Sequence, residues 1–250
     1  VIAGSNRDEV KLWIGSAEYF VKADFSFLGS IFGVPRIKLR NKDAFEAFNY
    51  YRSSTWQIRG VIEPLSSLNQ AGNENTYAYR YDWDDHRRFF IANFKEIIGA
   101  AHATEIPLLT GNNNLVGEYG FLIYPRSLSK RFTSKNMMKL WTNFAKTGAP
   151  GRTTNNILWD KYTQNNSKLM ILDKRKKLNF TNFSTNYSSL VKELNNDIRL
   201  SELEKCVVLY QMGAFIGNDI FDDIKTHSTF KCSRVKAISF LEKNASFIDY

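Results

Sequence analysis

The sequence predicts an α/β protein, and three observations carry that reading. Strand-like and helix-like segments alternate along the 250 residues, Tyr77 to Trp83 sets an aromatic side chain at every second position, and Ser134 to Thr147 repeats apolar residues at helical spacing. With 43% hydrophobic and 14% aromatic residues the chain has ample material for a packed core. Only two cysteines occur, so a disulfide scaffold is excluded, and the same aromatic content excludes disorder. No apolar run approaches the ~20 residues that cross a bilayer, so no membrane span is expected.

Residues 1–4 read as a short apolar strand that breaks at Gly4 into the polar turn Ser5-Asn6-Arg7-Asp8-Glu9. Residues 10–75 read as mostly helical, with Phe45, Phe48 and Tyr51 on one face of Asp43 to Tyr51 and a second amphipathic stretch from Trp56 to Leu68. Gly29-Ser30-Ile31-Phe32-Gly33 lacks the lysine and hydroxyl residue of a phosphate loop and reads as a turn. Tyr77 to Trp83 is the clearest strand, and Gly99 to Gly111 a loop. A helix from Ser134 to Thr147 stops at Gly148 and Pro150. Lys168 to Leu172 is a further strand, Asn179 to Ser189 a polar surface loop, and Ser201-Glu202-Leu203-Glu204 a capping box opening a helix to about Gly213.

The formal charge is +9 and the isoelectric point about 9.4. Such a balance raises nucleic acid as a partner, but the distribution argues against it. The one dense basic run, Lys174-Arg175-Lys176-Lys177, directly follows a strand and reads as a solvated turn, and Arg87-Arg88 sits among Asp82, Asp84 and Asp85. Cys206 and Cys232 match no zinc spacing and are either a disulfide pair or two buried thiols. No metal or cofactor motif is present. Five Asn-x-Ser/Thr triplets occur, at Asn165, Asn179, Asn182, Asn186 and Asn244. About three are expected by chance from the composition, so they do not argue for a glycosylated protein.

Two segments hold candidate chemistry. A carboxylate emerging from a buried strand onto a turn is held rigidly while facing a cleft, which suits a group that orients a histidine; Asp8-Glu9 fits, against the plainer reading of a surface acid pair beside Arg7 and Lys11. His102 lies among small residues in Gly99-Ala100-Ala101-His102-Ala103-Thr104-Glu105, which leaves its imidazole room to approach a substrate. His86, in a charged segment, and His227 are read as solvated. The aromatic residues Tyr19, Phe20, Phe25, Phe27, Phe32, Tyr119 and Phe121 read as core or as lining for an apolar gorge.

Taken together, these segments resemble the carboxylesterase type B, or cholinesterase-like, family of α/β-hydrolases. Val1 to Glu9 looks like the strand and turn that deliver that family's acidic triad member. Gly99 to Pro107 looks like its Gly-Ala-x-His-x-x-Glu histidine loop, and Trp141-Thr142-Asn143-Phe144-Ala145-Lys146-Thr147-Gly148-Ala149-Pro150 like its C-terminal helix signature, followed by Trp159-Asp160-Lys161-Tyr162 where the family has Trp-Pro-x-Tyr. Val10 and Ala103 depart from the pattern, standing where Gly and where Gly or Ser are usual.

The resemblance implies an α/β-hydrolase fold, here the C-terminal portion of the central sheet with its flanking helices. It implies Glu9 as triad acid and His102 as general base, with Asp8 beside the triad and Glu105 holding the loop. The implied activity is hydrolysis of small-molecule carboxylic esters through an acyl-serine, without cofactor or metal. No Gly-x-Ser-x-Gly elbow occurs in the sequence. Residues 1–250 are therefore expected to be the C-terminal part of one hydrolase domain, inactive alone, whose nucleophile lies on an N-terminal part. The competing expectation is a cholinesterase-like adhesion or binding protein without catalysis.

Overall fold

The computed structural model describes residues 1–24, 36–88, 92–113, 120–163 and 165–244. Chain order gives β1 (Ile2–Asn6), α1 (Lys11–Ile14), β2 (Val21–Asp24), β3 (Arg36–Leu39), α2 (Lys42–Gln57) and, after a π-helical turn at Ile58–Ile62, α3 (Glu63–Gln70). Next come β4 (Tyr77–Tyr81), α4 (Phe94–Ile97), α5 (Ile106–Thr110), α6 (Gly120–Ile123) and α7 (Leu128–Thr147). The last are β5 (Lys168–Leu172), β6 (Asn179–Asn182), α8 (Tyr187–Asn196), α9 (Glu202–Ile216), α10 (Asn218–Lys225) and α11 (Arg234–Lys243).

The main sheet runs β1-β4-β5-β6, parallel through β5 and closed by antiparallel β6, while β2 and β3 form a separate antiparallel pair. Gly4 is required in β1 because the Tyr79 ring lies over it; a Cβ there would stand 2.2 Å from that ring. On one face of the sheet Tyr77, Tyr81 and Met170 pack with Trp159 and with Met137 and Leu140 of α7. On the other, Ala78 and Leu169 pack with Val61, Leu65 and Tyr162. A third cluster joins Phe20, Phe45, Phe48 and Tyr51 to Leu190, Val191, Leu194, Val207 and Leu209 of the C-terminal helices.

The π-helical turn between α2 and α3 has a covalent cause. Pro64 sits at the start of α3 and has no N–H to return to the carbonyl four residues back, so the helix shifts its bonding register instead of ending. Cys206 of α9 and Cys232, ahead of α11, are joined by a disulfide, which settles the pairing left open by the sequence.

Several sequence expectations need correction. The first strand does not break at Gly4 but runs on to Asn6, and Ile106–Thr110 is a short helix inside the segment read as a loop. Residues 10–75 are interrupted by the β2–β3 pair, whose short, charge-bearing strands hide their alternation. Asn179 to Ser189 is not a continuous loop: Asn179–Asn182 pairs along β5, and a helix capped by Asn186 begins at Tyr187. Helix α7 starts six residues earlier than the apolar periodicity suggests, because Ser127 caps it by accepting from the Lys130 amide while Leu128 faces solvent. Gly29–Gly33, together with Phe25, Phe27, Phe32 and Tyr119, lies outside the described residues. Of the remaining aromatic candidates, Phe20 is core, Tyr19 packs against it, and Phe121 is exposed.

Candidate active site

The site forms where β1 and β4, neighbouring parallel strands, both end. The Arg7 amide donates to Tyr81 O at 2.9 Å, continuing the ladder one residue past β1, and the chain then turns through Asp8 and Glu9. The histidine loop docks on that turn through two backbone bonds: Asp8 N donates to Ala100 O at 3.0 Å and His102 N to Glu9 O at 3.1 Å. Backbone pairing thereby brings two segments more than ninety residues apart into fixed register.

The side chains complete the contact. His102 Nδ1 lies 2.8 Å from Glu9 Oε2. A carboxylate only accepts, so Nδ1 carries the proton and Nε2 is left with its lone pair available. The Asn6 amide donates to Glu9 Oε1 at 2.7 Å, which fixes the carboxylate from its other oxygen. Glu9 is 4% exposed, whereas the His102 side chain is 47% exposed, so the acid is sealed in and the base faces outward. The hydrogen bond to Glu9 raises the His102 pKa, outweighing partial burial.

Two indoles flank the imidazole. Its ring centroid lies 5.3 Å from that of Trp13 and 5.3 Å from that of Trp56, and the two indoles are 5.9 Å apart, so the three rings form one cluster. Trp56 also touches Phe215 of α9. Aromatic rings at this distance attract a cation, so the cluster favours the imidazolium that forms when the histidine takes a proton.

Asp8 and Glu105 surround the pair without touching the imidazole. Asp8 accepts from Arg7 Nη2 at 2.7 Å, Asn49 Nδ2 at 2.7 Å and the Ala100 amide at 2.9 Å. Burial pushes its carboxyl up, but Arg7, Lys11 and these hydrogen bonds override it and hold the group below the ordinary carboxylate range. Glu105 accepts from Asn6 Nδ2, which also donates to Ala101 O at 2.7 Å. Burial raises the Glu105 pKa. Gly99 adopts φ +56°, and a Cβ there would stand 2.4 Å from Asp8 Oδ2, so only glycine permits the close approach. Ala103 takes φ +63° without being glycine, a local strain directly after His102.

His86 is not solvated as its charged neighbours suggest. It is 6% exposed, edge-on to Trp83 and Tyr124, and its Nε2 lies 2.8 Å from Gly99 O. Burial lowers its pKa to about 4, so it is neutral and pins the histidine loop by that bond. The nearby acids also pair differently from the expectation: Asp82 with Arg80, Asp84 with Arg7, and Asp85 with Lys95 and with Lys174 of the basic run. His227 is exposed. His86, Trp13, Trp56 and Asn49 gave no sequence signal, because their roles arise from contacts across the fold. Asn6 lies inside the first motif, and its bridging position was open to the same reading as its neighbours.

Among the described residues no group of His, Cys, Asp and Glu is arranged to hold a metal ion, and no helix is long and apolar enough to cross a membrane.

Comparison with known proteins follows the same lines. The sequence model of the carboxylesterase family matches residues 41–190, a span that includes His102 and Glu105 and leaves out Asp8 and Glu9. No curated protein matches the sequence. Among solved structures, a PNB esterase is 19% identical over 72% of this chain and 35% of its own, with a TM-score of 0.45. A carboxylesterase from Geobacillus stearothermophilus is 18% identical over 68% of this chain and 36% of its own, with a TM-score of 0.42. The chain thus spans about a third of the length of these solved esterases. The family match extends over three fifths of the sequence. The chain, with its mixed sheet and flanking helices, accordingly belongs to the carboxylesterase family.

Proposed function

We propose that this chain supplies the acid and the base of a serine carboxylesterase, Glu9 and His102, and that the nucleophilic serine comes from a segment outside residues 1–250. The single observation that carries the reading is the 2.8 Å contact between Nδ1 of the outward-facing His102 and the buried Glu9 carboxylate. In the reaction His102 Nε2 takes the serine proton as the oxygen attacks the ester carbonyl, then returns it to the departing alkoxide; water repeats the sequence on the acyl-serine and releases the acid. Glu9 keeps Nδ1 protonated and stabilises the imidazolium throughout. Asp8, Glu105 and Asn6 fix the two segments relative to each other.

The absence of a Gly-x-Ser-x-Gly elbow from the sequence, and an edge of β1 that no strand among the described residues pairs with, support a site completed by another segment. An adhesion role would leave the sealed Glu9 and its bond to an outward-facing histidine without purpose.

The test has two readouts. The chain alone is expected to leave p-nitrophenyl esters intact, and co-production with the serine-bearing segment to produce hydrolysis that falls by about 10⁴-fold in His102→Ala or Glu9→Gln. In the isolated chain, NMR titration of His102 is expected to give a lower pKa in Glu9→Gln than in the unaltered protein. Hydrolysis by the chain alone, or restored hydrolysis indifferent to His102→Ala, overturns the assignment.

A further inference from the structure

We propose that Asn49 and Ser53 of α2 are positioning residues for the triad acid, holding the residues on either side of Glu9 so that its carboxylate stays against His102. This rests on the reading of Glu9 and His102 as acid and base. Glu9 takes its own carboxylate bonds from the Asn6 amide and His102 Nδ1, so α2 reaches it through its neighbours. On one side Asn49 Nδ2 donates to Asp8 Oδ1 at 2.7 Å. On the other the Val10 amide donates to Ser53 Oγ at 3.3 Å. Ser53 Oγ in turn donates to Asn49 Oδ1 at 3.1 Å, so the two tethers form one continuous chain of hydrogen bonds from Val10 to Asp8.

The helix is patterned for this contact. Glu46, Asn49 and Ser53 stand at i, i+3 and i+7 on one face of α2, while Ala44, Phe45, Ala47, Phe48 and Tyr51 enter the helical interior. Glu46 extends the stripe: Lys11 Nζ donates to both its carboxylate oxygens, at 2.7 and 2.9 Å, so residues 8, 10 and 11 are each tied to α2. Asn49 and Ser53 are both 3% exposed. A buried amide or hydroxyl is destabilising unless its hydrogen bonds are made, and an apolar side chain at either place would extend the core without that penalty. Their polar groups are directed at the acid turn and at each other instead.

The turn carries the constraint on to the base. Asp8, fixed by Asn49 through Oδ1, accepts the Ala100 amide of the histidine loop through Oδ2 at 2.9 Å, and His102 N donates to Glu9 O. One helix thereby sets both halves of the pair. The tolerance is small: a ~1 Å shift of the turn would stretch the 2.8 Å Glu9–His102 contact beyond hydrogen-bonding distance. Asn49 contributes more than Ser53, because its partner is a carboxylate and its bond is the shorter.

The test titrates His102 by NMR in the full chain carrying Asn49→Ala or Ser53→Ala. Glu9→Gln is the reference for a lost acid, and Ser53→Thr, which keeps the hydroxyl, is the conservative variant. Glu105, the other acid that acts on the imidazole, is left in place throughout. His86 reports folding in each sample, since its pKa of about 4 requires burial. The His102 pKa is expected to fall towards 6.5, further in Asn49→Ala than in Ser53→Ala and not in Ser53→Thr, with His86 unmoved. In the enzyme co-produced with the serine-bearing segment, Asn49→Ala is expected to lower kcat about 10²-fold with KM little changed. A loss of packing alone would leave the His102 pKa in place. Where Asn49→Ala does not fold, the comparison of Ser53→Ala with Ser53→Thr decides. If Glu9→Gln lowers the His102 pKa and the alanine variants leave it unchanged, the positioning role is overturned while the acid–base pair stands. If Glu9→Gln also leaves it unchanged, the pair itself fails, and the proposal with it.

Discussion

His86 and His102 show how one residue type takes opposite electrostatic characters fewer than twenty residues apart. His102 faces outward and gains a buried carboxylate partner, so its proton is held more tightly. His86 is enclosed by Trp83 and Tyr124 with a carbonyl as its partner, so burial dominates and its pKa falls to about 4. The folded state therefore prefers neutral His86, while the unfolded chain protonates it near 6.5. A depressed pKa contributes stability that is fully present above the unfolded value and is lost as pH falls from 6.5 towards 4. Across that window the loss is on the order of 3 kcal/mol. His86→Gln keeps an N–H to donate to Gly99 O but cannot ionise. Urea unfolding at pH 7 and pH 4 is expected to show the unaltered chain losing roughly that much more stability than His86→Gln over the same interval. Equal losses in the two proteins would show that His86 is not buried neutral.

At the scale of elements, the legible parts were those whose local chemistry agrees with their tertiary role. Lys168 to Leu172 is a strand within the bounds read from its apolar run, and its last four residues are buried. The capping box at Ser201 is formed as its spacing implies: Glu204 N donates to Ser201 Oγ, and Ser201 N donates to Glu204 Oε2 at 2.7 Å. Glu204 also accepts from Tyr19 OH at 2.8 Å, tying the start of α9 to the segment before β2, a contact no local pattern announces. Conversely, β6 is made of Asn-Phe-Thr-Asn, whose two strand-favouring residues are flanked by asparagines that disfavour strands, and it forms where β5 offers an edge to pair with. The acid and base of the candidate site were each visible in a short motif, while the tryptophans beside His102 sit on different helices and meet only in three dimensions. Ser201→Ala, which removes the cap from α9, is expected to cost about 1 kcal/mol by chemical denaturation. An unchanged midpoint would show that the Tyr19 contact, not the cap, holds the end of the helix.

The whole molecule is organised around two interiors joined by one long element. The sheet carries its own packing on both faces, and the C-terminal helices pack with α2 and Phe20 in a separate cluster. The helical run from Lys42 to Gln70 spans the division, giving Phe45, Phe48 and Tyr51 to the helical interior and Val61, within the π-helical turn, and Leu65 to the sheet. The disulfide closes a loop of 26 residues wholly within the helical part. Such a crosslink restricts the unfolded chain by an amount equivalent to about 3 kcal/mol, and only for motions that open that loop. If the two interiors open separately, the double variant Cys206→Ser with Cys232→Ser will speed amide exchange by about a hundredfold in α9 and α11 while leaving Tyr79 and Ile171, at the centre of the sheet, nearly as protected as before. If instead every protected amide accelerates together, the Lys42–Gln70 run transmits unfolding between the interiors and the molecule opens as one unit. The sheet-centred outcome is the expected one, because β4 and β5 bury their side chains against α7, Trp159 and Tyr162, and none of these contacts depends on the crosslinked helices.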